Sequence, residues 1–245
     1  MAGKRPLSLI TFDIDDTIYS STDFARLARE NALKAMIALG LKIDLPTAQA
    51  ELDEVVSEFT SNDPNHLDRI LQRFPKAALD GINPAILVAA GVVAYRDTVH
   101  DSLKPYEDAI EAFKRLHSAG YRLGIVSQGV TIKQAEKLVR LRILPYIDRK
   151  AIFFSDQMAT SKGNPKFFIR AAEQLGASPA QCMHVGDRPD RDIDPANSAG
   201  WLTVLNRRTG RYHERPGSTP PSYVIHNFWD FIEVIDKEFT PASAR

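Results

Sequence analysis

Apolar positions along this chain change period twice. Residues 7–12 form an apolar run long enough for one buried strand, and the run stops at Asp13. Over residues 23–39 the apolar side chains Phe24, Leu27, Ala28, Ala32, Leu33, Ala35, Met36 and Leu39 recur at helical spacing, and Gly40 ends the helix. The pattern predicts further helices over 46–59, 66–74 and 84–98. The last of these opens on Asn83-Pro84, an N-cap followed by a first-turn proline. Asn62-Asp63-Pro64-Asn65 reads as a turn. No strand is expected from residue 20 to about 101.

After that the period alternates. Helices are expected over 105–119, 132–141, 164–176, 192–199 and 228–239. Strands are expected over 121–126, 151–154, 182–185, 201–205 and 223–225, with a Pro-, Gly- and Arg-rich surface loop over 206–222. Such alternation is the mark of an α/β fold. The expected organisation is a parallel sheet core, residues 1–18 and 102–245, with helices on both faces. A small all-helical domain, residues 19–101, is inserted into it. Right-handed crossovers between parallel strands would bring Asp13, Ser127 and Asp187 to one edge of the sheet.

Composition narrows the class. The chain has 245 residues, 44% hydrophobic and 25% charged, an ordinary globular balance. Its 31 basic and 31 acidic side chains cancel, which argues against nucleic acid or a membrane surface as partner. The single cysteine, Cys182, excludes a disulfide framework and reads as a buried thiol. Behind the short basic stretch 1–6 the apolar run is too short for a signal-peptide core, and no other run has membrane-spanning length. The expectation is a cytoplasmic protein.

The chemistry is concentrated in Ile10-Thr11-Phe12-Asp13-Ile14-Asp15-Asp16-Thr17. Three acids within four positions at the end of a buried strand repel one another and resist desolvation. A cation would remove that repulsion. In an extended turn Asp13 and Asp15 face the same way while Asp16 turns aside, so one carboxylate is placed to attack and the other to move a proton. The competing reading is an Asp-rich turn that caps a helix through Asp16 or Thr17. On this octapeptide alone both readings stand.

Further on come Ser127, then Lys162, then Gly186-Asp187 with Asp192 five positions later. Together with Asp13-x-Asp15-x-Thr17, in this order and at strand ends, they resemble the haloacid dehalogenase (HAD) superfamily. Within it the resemblance is to the magnesium-dependent phosphatases that carry a helical cap after the first motif, and it covers nearly the whole chain. It implies a Rossmann-like core with a helical cap domain, and Mg2+ as cofactor. Asp13 would be the nucleophile, forming an aspartyl-phosphate, and Asp15 the general acid and base. Asp13, the Asp15 carbonyl and Asp187 would hold the metal, with Asp192 beside it orienting a metal water or Lys162. Ser127, Gln128 and Lys162 would bind the substrate phosphate. Lys162 is chosen over Lys166 by its spacing to Pro165 and the pair Phe167-Phe168. Three residues depart from the family pattern: Gln128 stands for Asn or Asp, Gly163 for proline, and Asp194-Pro195 for a glycine-alanine step. These bear on loop geometry and substrate fit.

Plainer roles compete at several positions. Ser127 or Thr131 would serve as a helix cap, Asp192 as an N-cap, and His184 as a packed core histidine. Alternatives at the level of function are a metal-independent dehalogenase, against which Asp15 and Asp187 speak, a phosphomutase, and a silent phosphate binder. The expected partner is a small phosphorylated molecule; phosphosugars, triose phosphates, phosphoglycolate, nucleoside monophosphates and pyridoxal phosphate all suit the motifs. Specificity is expected in the cap, with Tyr19, Tyr95, Arg96 and the loop 207–211 as candidates, the loop reading more readily as solvated. Monomer and homodimer are both open.

Overall fold

The computed structural model describes residues 3–59, 63–208, 210, 212 and 214–242. Met1, Asn62 of the expected turn, and Thr209 and Arg211 of the arginine loop lie outside the described residues. The chain divides into two compact units, Met1–Thr22 with Lys104–Arg245, and Asp23–Leu103.

The inserted unit is helical. It is built by α1 (Ser21–Ala38), α2 (Leu45–Phe59), α3 (His66–Arg73) and α4 (Pro84–Ser102), with a 3-10 turn at Lys76–Leu79. The side chain of Asn83 accepts from Ala85 N, 3.0 Å, so the expected cap opens α4. Leu33, Met36, Leu52, Val55, Ile70 and Leu87 form its core. They come from all four helices at helical spacing, which is why the sequence pattern located these helices to within a few residues.

The larger unit is an α/β sheet. Its strands are β2 (Leu9–Phe12), β3 (Leu123–Ser127), β4 (Ile152–Phe154), β5 (Cys182–Gly186), β6 (Leu202–Asn206) and β7 (Tyr223–Ile225). All pair in parallel, in the spatial order β4-β3-β2-β5-β6-β7. The helices are α5 (Glu107–Ser118), α6 (Thr131–Arg140), α7 (Pro165–Gln174), α8 (Asp194–Ser198) and α9 (Phe228–Glu238). Phe12 on β2 meets Phe113 of α5 at 4.7 Å and Phe231 of α9 at 5.8 Å between ring centres. On the opposite face Leu9 and Val126 pack with Phe167, Phe168 and Ala171 of α7 and Ala196 of α8. Both faces of β2 are therefore covered, as parallel sheets require.

The run 7–12, expected as one strand, is two. Arg5–Leu7 forms β1, which pairs in parallel with β8 (Phe239–Pro241) as a separate two-stranded sheet. Ser8 makes the break: its N–H donates to Gln181 O and its hydroxyl to Gln181 Oε1. The helix expected to reach 239 stops at Glu238, because Phe239 turns to extended backbone and enters β8. The short helix expected over 192–199 is a wide turn at Pro189–Ile193 followed by α8. No helix among the described residues is long and apolar enough to cross a membrane.

Candidate active site

Register brings the chemistry together. Phe12 is level with Ile125 on β3 and with Val185 on β5. The residues that follow, Asp13, Ser127 and Asp187, therefore emerge at one edge, the carboxyl ends of the three central strands, where open α/β sheets bind ligands. Asp13 N donates to Val185 O, 2.9 Å, which fixes its backbone.

Lys162 is 1% exposed, reached from the turn before α7. Its ammonium donates to Asp13 Oδ1 at 2.5 Å and pairs with Asp192 Oδ1. Burial disfavours the charge of Lys162, but Asp13 and Asp192 outweigh this and hold its pKa above the usual value. Lys166 is exposed instead. Among the described residues Asp13 Oδ2 accepts no hydrogen bond. Burial pushes the Asp13 carboxyl up to about 7 against the pull of Lys162, and Asp192 and Asp15 add to the rise.

Asp192 is held from three sides. Its Oδ1 also takes His184 Nε2 at 3.1 Å, and its Oδ2 takes Arg188 N at 2.8 Å. Although burial works the other way, Lys162 and His184 hold its carboxyl well below the usual range. It caps no helix that follows it, since Ile193 precedes α8 without a side-chain cap. Gly186 makes this packing possible. A Cβ there would lie 2.2 Å from Asp192 Cγ.

His184 is a packed core histidine, edge-on to Phe168 at 5.1 Å, and it is also more than that. Burial, with Lys162 nearby, pushes its pKa down to about 4, so it is neutral at pH 7. With Nε2–H donating to Asp192, Nδ1 accepts from the Thr11 hydroxyl at 2.9 Å. The residues therefore form a chain from Thr11 on β2 through His184, Asp192 and Lys162 back to Asp13, two positions beyond its start.

Ser127 is buried at the end of β3, and its hydroxyl has no partner among the described residues. Neither it nor Thr131 caps α6. That cap comes from Asp156, which accepts from Thr131 N and from its hydroxyl. Gln128 serves the lysine loop: its Oε1 accepts from Lys162 N at 2.8 Å. Asp194 of the departing pair accepts from Ser218 N and Thr219 N and so anchors residues 218–219.

Asp15 lies in surroundings the sequence reading missed. Both its oxygens take Lys137 Nζ, at 2.7 and 2.6 Å; Tyr19 OH donates to Oδ1 at 2.6 Å and Gln134 Nε2 to Oδ2 at 3.3 Å. Burial pushes this carboxyl up, but Lys137 and the hydrogen bonds prevail and hold it below the usual range. Tyr19 is thus tied to Asp15. Gln134 and Lys137 stand three apart on α6, the one available signal that they share a face. Asp16, at φ 54°, turns aside and accepts from Thr22 N and Oγ1. Arg208 of the arginine loop is not a solvated side chain. Its Nη1 donates to both oxygens of Asp108 at 2.7 Å, and the guanidinium lies over Tyr106.

The acids suit a cation. Asp13, Asp187 and Asp192 are buried and present oxygens within 4.8 Å of one another. One ammonium, that of Lys162, meets two of the three. Asp187 accepts no side-chain hydrogen bond and forms no ion pair among the described residues, and burial with Asp192, Asp13 and Asp16 around it pushes it up to about 9. An all-oxygen set with uncompensated negative charge fits a hard divalent ion such as magnesium.

The model of the haloacid dehalogenase-like hydrolases matches residues 7–200. The chain belongs to that family, and its sheet, helices and inserted helical unit are those of a HAD fold. Among its relatives, a glyceraldehyde 3-phosphate phosphatase of Methanopyrus kandleri is 42% identical over 235 residues, covering 94% of this chain and 97% of that protein. The protein of the same name from Methanocaldococcus jannaschii is 33% identical, covering 92% and 96%. The solved structure of a HAD phosphatase from Thermococcus onnurineus superposes with a TM-score of 0.61 at 23% identity, over 95% of this chain and 99% of that one. The magnesium-bound YfnB of Bacillus subtilis gives 0.64 at 18% identity, over 95% and 100%.

Proposed function

We propose that this chain hydrolyses glyceraldehyde 3-phosphate or a closely similar small phosphate ester, with Asp13 as nucleophile. The class of reaction, phosphomonoester hydrolysis, is that of its full-length relatives. The carrying observation is the state of Asp13, a buried carboxylate at the end of the central strand. One of its oxygens is held by Lys162, and the other accepts no hydrogen bond among the described residues.

A phosphate ester is an anion that repels an anionic attacker, so charge must be offset and the attacker held in line. Lys162 supplies positive charge beside Asp13, and the Ser127 hydroxyl is available to donate to a phosphoryl oxygen. Asp13, the Asp15 carbonyl and Asp187 would hold a magnesium ion, which when bound offsets the negative charge of the phosphoryl group. Asp13 Oδ2 attacks phosphorus, forming an O–P bond as the ester P–O bond breaks with its electron pair on the leaving oxygen. Asp15, in its protonated form, gives that oxygen a proton, is left as the carboxylate, and the alcohol departs. Water then attacks phosphorus, its proton passes to Asp15, and the Asp13 O–P bond breaks to release inorganic phosphate. Asp192 keeps Lys162 aimed throughout. The helical unit Asp23–Leu103 is read as the cap that selects the ester.

The test is phosphate release from a panel of phosphomonoesters containing glyceraldehyde 3-phosphate, phosphoglycolate and p-nitrophenyl phosphate, with magnesium or a chelator. Magnesium-dependent release is expected, with glyceraldehyde 3-phosphate favoured. Asp13→Asn should lower it at least about a thousand-fold while the protein stays folded. An Asp13→Asn protein that keeps most of its activity would overturn the assignment.

A further inference from the structure

The surroundings of Asp15 go beyond what its motif supplies. A carboxylate has about four lone-pair sites, and Asp15 has four donor contacts. Two come from the Lys137 ammonium, one to each oxygen, one from Tyr19 OH and one from Gln134 Nε2. In this arrangement no site is left for a proton in transit, so at least one bond must be exchanged in each turnover.

The contacts differ in a way that selects the bond. Oδ1 takes two short ones, Tyr19 OH at 2.6 Å and Lys137 at 2.7 Å. Oδ2 takes Lys137 at 2.6 Å and only a long contact, 3.3 Å, from Gln134. An ammonium carries three donors on one nitrogen. Lys137 can therefore release Oδ2 and still hold Oδ1, so the carboxylate keeps its orientation while one oxygen becomes available.

Lys137 is also presented deliberately. It lies on α6 one turn beyond Gln134, whose Nε2 also donates to Gln128 O at 2.7 Å. That bond needs Gly129, because a Cβ there, at φ +146°, would come within 2.6 Å of Gln134 Nε2. The turn after β3 and the first half of α6 are thus shaped around Asp15. Among the described residues no second cation pairs with Asp15. The Lys137 side chain is 26% exposed, so it is not needed to fill the core.

We propose that Lys137 is the positioning residue for proton transfer at Asp15, anchoring Oδ1 together with Tyr19 while Oδ2 exchanges its bonds with the leaving oxygen and then with water. This rests on the reading of Asp15 as the proton-transfer group. The first half-reaction needs a proton for an alkoxide leaving group but not for p-nitrophenolate, and kcat/KM reports only steps through release of the alcohol. The experiment compares kcat/KM for p-nitrophenyl phosphate with that for glyceraldehyde 3-phosphate, or for the alkyl phosphate of the panel that wild type cleaves fastest. It does so in wild type, Lys137→Met and Lys137→Arg with magnesium present, beside the melting temperature of each.

For Lys137→Met the alkyl ester should lose at least about ten-fold more than the aryl ester, within the range of a general acid's contribution. Lys137→Arg should recover part of the loss, and the melting temperatures should stay close to wild type. An equal fall on both esters would make Lys137 a general phosphate or stability contact and overturn the inference, as would an unchanged or raised kcat/KM in Lys137→Met. A wild-type protein that cleaves neither ester would instead overturn the phosphatase reading itself.

Discussion

Without a cation among its buried acids the stability of this protein should be a steep function of pH, and Asp187 sets the size of the effect. In the fold its carboxyl is pushed from 3.8 up to about 9, first by burial and then by Asp192, Asp13 and Asp16. With a chelator present the folded chain therefore keeps a proton on Asp187 between about pH 4 and pH 9 while the unfolded chain has lost it. A state that holds more protons loses ground as pH rises, so stability must fall across that window. His184 acts the other way. It is pushed down to about 4, so its neutral folded form gains as pH rises, but only until the unfolded histidine has lost its own proton near 6.5. From pH 7 to 9 Asp187 is unopposed. Two pH units correspond to about 3 kcal/mol, and for a chain of this length to a fall of roughly 6–12 °C in melting temperature. Magnesium should flatten the slope by compensating the ionised carboxylate, so its stabilising effect should grow with pH. Asp187→Asn carries no such proton and should be flat in chelator. The assay is thermal unfolding at pH 7 and 9, with magnesium or chelator, for both proteins. If chelated wild type melts alike at the two pH values, or slopes no more than Asp187→Asn, then Asp187 is already compensated by the protein and the cation site is refuted.

Two further outcomes follow from close contacts. Gly186→Ala places a Cβ 2.2 Å from Asp192 Cγ, so Asp192 must move and Lys162 with it; kcat should fall on the order of 100-fold, and steady-state kinetics beside a melting curve will show whether the loss exceeds any unfolding. Asp108→Ala strips Arg208 of its carboxylate partner and Phe228 N of its 2.9 Å acceptor, and should destabilise the larger unit by about 3 kcal/mol in denaturant unfolding, while an unchanged midpoint would contradict it.

Much of the site was legible because its signals are local. A strand that ends in acids, a glycine before Asp187, and Asn-Pro pairs at helix starts act over a few residues, and each element they mark is present. Lys137 was not legible for the opposite reason. Helical spacing shows that Gln134 and Lys137 share a face of α6, but which face meets the turn after β2 is decided by the packing of the sheet. His184 was half legible: its burial follows from its strand, whereas its bond to Asp192 depends on Gly186 letting Asp192 fold back. The β1–β8 pair joins segments more than 230 positions apart, and the apolar Phe239 prolongs the periodicity of α9 until tertiary pairing overrides it.

The place of β2 in the sheet also bears on how the protein is made. Both of its partners come late, β3 at residue 123 and β5 at residue 182. All of Asp23–Leu103 is synthesised before either exists. On the ribosome the helical unit can complete its own core first, by local contacts that form quickly, while the strand Leu9–Phe12 waits with both edges unpaired. Such an apolar segment is an aggregation hazard, and charges flanking it are the usual protection. Asp13, Asp15 and Asp16 stand directly beside it, so the same acids that crowd the end of the strand place charge where a gatekeeper would stand until the sheet can close.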